Sequence, residues 1–342
     1  MPVDWPSAAC VLLVQEVAHS PEMTMTSFSP ALHYQAYQTL ADLSTPMRSV
    51  ARHLAPWLHH SLFWFPESQL LRKAAGACEV LALAGLTHAR PPFNIDKVET
   101  EAGTVLVSEE AVFATPFCTL QRFRKEGAPE GEPKVLLVAP ASGHFATLLR
   151  GTVLTLLRDH DVYVTDWHNV RDIPLAAGPF DLDAFIEQII GFVDWLGPHT
   201  HLVAVCQPTV PTLAAVAIMA EENHPHQPRS MTLMAGPIDC RINPTEVNRL
   251  ATEKPIEWFE RNLIGTVPLR YKGALRKVYP GFLQISAFMS MNLDRHKESF
   301  RKMYSHYAAG ETERAVGIKE FYDEYLAMMD LPAEFYLQTV RK

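Results

Sequence analysis

Basic charge is scarce in this chain. Thirty Lys and Arg stand against 38 Asp and Glu, for a formal net charge of -8. A nucleic-acid binder needs a basic footprint, so no nucleic-acid partner is expected. The first Lys or Arg is Arg48, and the short apolar run AACVLLVQEVA near the N-terminus has no positive segment before it. A secretory signal opens on such a segment. Export is therefore not expected, and residues 1–28 read as a loose leader. No apolar run approaches the length of a membrane span, so none is expected. Cysteine is sparse and scattered at Cys10, Cys78, Cys118, Cys206 and Cys240, with no CxxC pair or Cys/His cluster. That excludes a disulfide framework and a structural metal, and favours a reducing, cytoplasmic compartment. Neither GxGxxG nor a P-loop follows any strand-like run, so a nucleotide-cofactor domain ranks last among the readings and no cofactor is expected. No internal repeat is present.

The composition is otherwise that of a globular protein. Of 342 residues 48% are hydrophobic and 20% charged, enough for one large domain or two smaller ones. Residues 29–95 read as an N-terminal helical region: Leu32, Ala36, Leu40 and Leu43 share a face, Pro46 ends that run, and a second helix spans about 67–88. Residues 96–242 change rhythm. TVLVSEEAVFATPFCTLQRFR over 104–124 predicts two antiparallel strands. VLLVA (135–139), VYVT (162–165), HLVAV (201–205) and MTLMAG (231–236) are apolar runs of the kind buried parallel strands show. Between them lie helical stretches, clearest in DLDAFIEQIIGFVDWLG, with Asp181 as its cap and Gly197 at its end. The expected class is α/β with a mostly parallel sheet. Residues 243–342 read helical, rich in Met and aromatics, either a cap over the strand ends or ordinary packed helices.

Chemistry concentrates at the C-terminal ends of those strands. Cys206 ends one strand just before a helix, where a nucleophile elbow of the G-x-S-x-G kind places its nucleophile. Ala204 and Pro208 stand where that motif has glycines. Pro208 falls in the first helical turn, where a missing N–H costs little, and Gln207 keeps its peptide N–H for an oxyanion. The alternative is an inert core thiol. Ser142, Gly143 and His144 form the loop after strand 135–139, either a second oxyanion element or a polar turn. Asp166, Trp167 and His168 follow strand 162–165 and either line a pocket or cap the loop; Asp239 follows the last strand.

VAPASGHFATLLRGTV, VYVTDWHNVRDIPL and LVAVCQPTVPTLAAVAIMAEE closely resemble the intracellular poly(3-hydroxybutyrate) depolymerase family. The likeness continues through YQAYQTLADLSTPMRSVARHLAPW, TLMAGPIDCRINPTEVN and YPGFLQISAFMSMN, so it spans about residues 29–342. The resemblance implies an α/β-hydrolase fold with Cys206 as nucleophile. It implies cleavage of stored polyester without a metal, at the surface of cytoplasmic polyester granules. The family's downstream Asp and His have no counterpart here: the chain ends on FYLQTVRK in a helical pattern, without a strand and Asp loop or a late Gly-His motif. A C-terminally truncated member is therefore expected, with the last strands missing. Two further readings stand beside the depolymerase. One is a non-catalytic granule-binding fragment, the other a polyhydroxyalkanoate synthase-like acyltransferase, from whose glycine-flanked cysteine box Pro208 departs. The sequence leaves the oligomeric state open, an oligomer included.

Overall fold

The computed structural model describes residues 30–101, 103–127 and 131–342. The expected leader over 1–28, with Cys10, and the side chain of Leu32 lie outside the described residues. In chain order the elements begin with α1 (Pro30–Trp64), α2 (Gln69–Leu83), β1 (Lys97–Thr100), β2 (Gly103–Ala114), β3 (Cys118–Lys125) and β4 (Lys134–Val138). There follow α3 (Arg150–Leu156), β5 (Asp161–Trp167), α4 (Leu182–Leu196), β6 (His201–Val205), α5 (Thr209–Glu221) and β7 (Ser230–Met234). The last part carries α6 (Glu246–Glu253), α7 (Ile256–Leu263), β8 (Gly265–Thr266), β9 (Lys277–Tyr279) and α8 (Gly281–Ser290). It ends with α9 (Leu293–Ala309), α10 (Thr312–Tyr325), β10 (Leu331–Pro332) and α11 (Ala333–Arg341). No helix among the described residues is long and apolar enough to cross a membrane.

Among the described residues two compact units result, residues 30–88 with 282–328 and residues 89–281 with 329–342. The region 243–342 is thus shared between them. The first unit is helical. Its core joins Leu83 to Ile285, Met303, Tyr307, Tyr322 and Met328. Gly76 is required at the crossing of α2 with α9: a Cβ there would lie 2.9 Å from Cβ of Tyr307. The sequence reading stops the first helix at Pro46, but α1 runs through both Pro46 and Pro56. Tertiary burial of Ala51, Ala55 and Leu58 holds the far side of the break. Near it, Ala41 O accepts from Ser44 Oγ (3.0 Å) and Thr45 Oγ1 (2.7 Å), side-chain bonds back to the preceding turn of the kind that accompanies a bend in a helix.

The second unit is built on a sheet of order β1-β2-β3-β5-β4-β6-β7. The strands β1, β2 and β3 form an antiparallel run, and β3 pairs antiparallel with β5. From β5 through β4 and β6 to β7 every pairing is parallel. An antiparallel entry followed by parallel strands with helical crossovers is the α/β-hydrolase arrangement, so the expected fold class holds. Central strands β4 and β5 are buried almost throughout, which is why they read as unbroken apolar runs rather than alternating ones. Asp181 Oδ1 accepts the Ala184 N–H at 2.9 Å and starts α4, and Gly197 ends it at φ +81°. Among the described residues no strand pairs with the outer edge of β7. A three-stranded sheet of β10, β9 and β8 was not legible in the sequence, because two- and three-residue strands carry no period.

Candidate active site

The parallel strands β4, β5, β6 and β7 end on one side of the sheet, and the residues singled out above lie at those ends. Cys206 follows β6 directly. Its φ is +68°, a left-handed conformation that few side-chain-bearing residues adopt. The turn is held from both sides. Cys206 N–H donates to Met234 O at the end of β7 (2.8 Å), and Cys206 O accepts from Thr209 N (3.2 Å) and Thr209 Oγ1 (2.8 Å). The thiol is exposed, whereas Ala204 two residues earlier is fully buried. Strand, strained turn and helix in that order are the geometry of a nucleophile elbow.

Pro208 has φ -70° and leads directly into α5, so proline fits the place that glycine holds in the usual motif. Close packing is supplied from the neighbouring strand instead. A Cβ on Gly236, just past β7, would lie 1.7 Å from Thr209 Oγ1. The adjacent Ala235 is also left-handed, at φ +51°. Among the described residues the Gln207 N–H has no acceptor, which leaves it available to a ligand. Gln207 Oε1 is buried without a hydrogen-bond partner among the same residues.

The Ser142-Gly143-His144 loop leaves β4, the strand beside β6. It is anchored at its start by Thr165 Oγ1, which accepts the Ala139 N–H at 2.9 Å, and by Trp167 Nε1, which donates to Ala139 O at 2.8 Å. Gly143 stands at φ +100° and its carbonyl accepts the Met329 N–H at 2.7 Å. His144 is buried in this loop. Residues 329–330 therefore tie to the loop after β4, and they tie to the loop after β5 as well. Asn169 Oδ1 accepts the N–H groups of Arg171 (3.2 Å) and Asp330 (3.0 Å), and buried Asp330 accepts the Gly281 N–H at 2.8 Å.

The residues at the end of β5 take individual roles. Asp166 is buried and ion-paired with Arg90 Nε, while Arg90 Nη2 reaches Glu109 Oε1 at 2.5 Å. Burial raises the Asp166 carboxyl above its ordinary value, and Arg90 opposes that rise. Trp167 packs inward, stacked on Phe185 with ring centroids 4.2 Å apart. His168 is held through both ring nitrogens, Nε2 by Thr119 Oγ1 (2.8 Å) and Nδ1 by Pro116 O (3.0 Å). Asp239 forms an exposed pair with Arg241 at 2.8 Å beyond β7, and this pair holds its carboxyl below the usual range. Sequence reasoning missed Arg90, Thr165, Asn169, Gly236 and Met329. Each acts on a partner far away in the chain and belongs to no local pattern.

Residues 235–342 match the family described as PHB de-polymerase C-terminus. The match includes two of the stretches, from GPIDC and from YPGFLQ onward, on which the resemblance was read. The recognition holds there. No curated protein matches the chain. Among solved structures, a mutant of the esterase rPPE is 14% identical with a TM-score of 0.33, covering 53% of this chain and 55% of that one. Brefeldin A esterase, titled a bacterial homologue of human hormone sensitive lipase, is 15% identical with a TM-score of 0.35, over 64% and 60%. A carboxylesterase from Bacillus subtilis is 14% identical with a TM-score of 0.30, over 57% and 60%. The chain spans about 55–60% of the length of these structures.

Proposed function

We propose that this chain belongs to a polyester depolymerase that hydrolyses poly(3-hydroxybutyrate) through a thioester on Cys206. The observation that carries the reading is the left-handed backbone of an exposed cysteine between a parallel strand and a helix. Backbone strain of this kind costs of order 1–3 kcal/mol and persists where the surrounding structure imposes it, often at functional sites. The match of residues 235–342 to a depolymerase family supports the polymer as substrate.

In this reading the Cys206 thiolate attacks an ester carbonyl of the polymer. The C–S bond forms as the carbonyl π pair moves to oxygen, and the Gln207 N–H receives that oxyanion together with a donor from the Ser142–His144 loop. Collapse expels the alkoxide of the shortened chain, which takes a proton, and leaves a 3-hydroxybutyryl thioester. Water then attacks the thioester and releases the acid. Thiol chemistry requires a proton acceptor, and His144, on the loop after β4, the strand beside β6, takes that role in this reading. Asp166, Trp167 and His168 shape the floor beside the loop after β4. The site faces an amorphous granule surface in the cytoplasm.

The test is turnover of amorphous polyester granules with release of 3-hydroxybutyrate. Wild-type chain is expected to accumulate a hydroxylamine-sensitive acyl group that mass spectrometry places on Cys206. Cys206→Ala abolishes both. Granule co-sedimentation with no acyl group on Cys206 would leave a granule-binding protein in its place. Polymer growth from 3-hydroxyacyl-CoA would leave a synthase.

A further inference from the structure

We propose that the outer face of α1 is a dimerisation surface for a second copy of this chain. Leu40, Leu43, Met47, Val50, Leu54 and Trp57 follow one another at spacings of three and four residues and are all exposed, Leu43 by 73% and Val50 by 65%. That alternation is the 3.5-residue repeat of a helix-pairing seam. The same helix already uses it once. Ala51, Ala55 and Leu58, each one residue beyond a seam position, are buried, and this neighbouring face packs on α2. The helix thus carries two seams about 100° apart, one filled and one open.

The occupant is a helix rather than a flat surface. The open stripe is a single side chain wide, whereas a helix lying on a membrane or polymer presents a broad apolar face opposite a Lys/Arg-rich one. Arg48 and Arg52 are the sole Lys or Arg residues in α1. A second copy meets no charge barrier. The flanking positions Thr39, Ser44, Pro46, Ala51, His53 and Leu58 include no Lys, Arg, Asp or Glu. Both prolines inside the helix, Pro46 and Pro56, stand off the seam.

The available area also suffices. Trp57 and Trp64, seven residues apart on the same seam, are exposed by 62% and 69%. With roughly 150–250 Å² for each aromatic side chain, they offer roughly 200–330 Å². The aliphatic seam residues bring the face to the roughly 800 Å² per partner of a stable interface.

Sedimentation velocity and light scattering of the full chain over micromolar concentrations test this. The wild type is expected to be a dimer, Val50→Glu and Trp57→Glu monomers of unchanged helical circular dichroism, and Arg52→Glu a dimer. Oxidation of Val50→Cys is expected to trap a covalent dimer that the wild type does not form, which guards against variants that merely unfold. A monomeric wild type overturns the proposal, as does a dimer that persists in both Glu variants. A monomer whose binding to amorphous polyester is lost in Val50→Glu also overturns it, and assigns the face to the polymer.

Discussion

Cys206 holds a backbone conformation that glycine would adopt at little cost, φ +68°. A left-handed non-glycine residue costs roughly 1–2 kcal/mol, partly offset by the extra chain entropy that glycine brings to the unfolded state. Cys206→Gly is therefore expected to abolish ester cleavage while raising urea-unfolding stability by about 0.5–1 kcal/mol. A fall in stability would mean that the turn is unstrained. The reverse applies at Gly236, where an added Cβ would overlap Thr209. Gly236→Ala is expected to cost about 1–3 kcal/mol by overpacking, measured by the same unfolding, and to reduce turnover by displacing the start of α5. The cysteine was legible because a strand pattern ends on it. The glycine was not, because its partner lies 27 positions earlier in the chain.

Single elements make separate contributions. The Asp181 cap is one hydrogen bond at the start of α4, and Asp181→Ala is expected to destabilise the sheet unit by about 1 kcal/mol in thermal or urea unfolding. In the helical unit, burial and then Arg295 push the His296 imidazole below its ordinary value, and its Nδ1 lies 2.8 Å from the Tyr322 hydroxyl. A histidine with a lowered folded-state value binds its proton more readily when unfolded. Its stabilisation is complete above the ordinary value of 6.5 and is lost as pH falls through the lowered one. Melting temperatures taken from pH 8 downward are expected to fall below about pH 6.5, and less so in His296→Phe. An equal fall in both proteins would remove His296 from the cause. The helix α1 shows the limit of element-level reading. Proline punctuation predicts a stop at Pro46, yet burial of Ala51, Ala55 and Leu58 carries the helix on to Trp64.

At the scale of the molecule, two units are built from interleaved stretches of chain. Gly76 sits where α2 meets α9, within van der Waals reach of Tyr307 and Tyr304. Gly76→Leu is expected to speed amide hydrogen exchange across residues 69–83 and 293–309 while β4, β5 and β6 keep their protection. Equal loss of protection in both units would show that they unfold as one.

The sequence alone determined the α/β class, the strand and helix rhythm from residue 104 to 236, the cap of α4 and the place of Cys206 at a strand end. Those features rest on local physics: the two-residue period of a strand, the apolar runs of a buried sheet and the hydrogen-bonding capacity of a capping residue. Tertiary structure decided what requires distant residues to meet. It paired Asp166 with Arg90, fixed the loops after β4 and β5 through Met329 and Asp330, and set Gly236 against Thr209. It also settled that α1 continues past two prolines and leaves one of its two seams uncovered. Local patterns state which face of an element is apolar, but packing alone states which apolar face finds a partner.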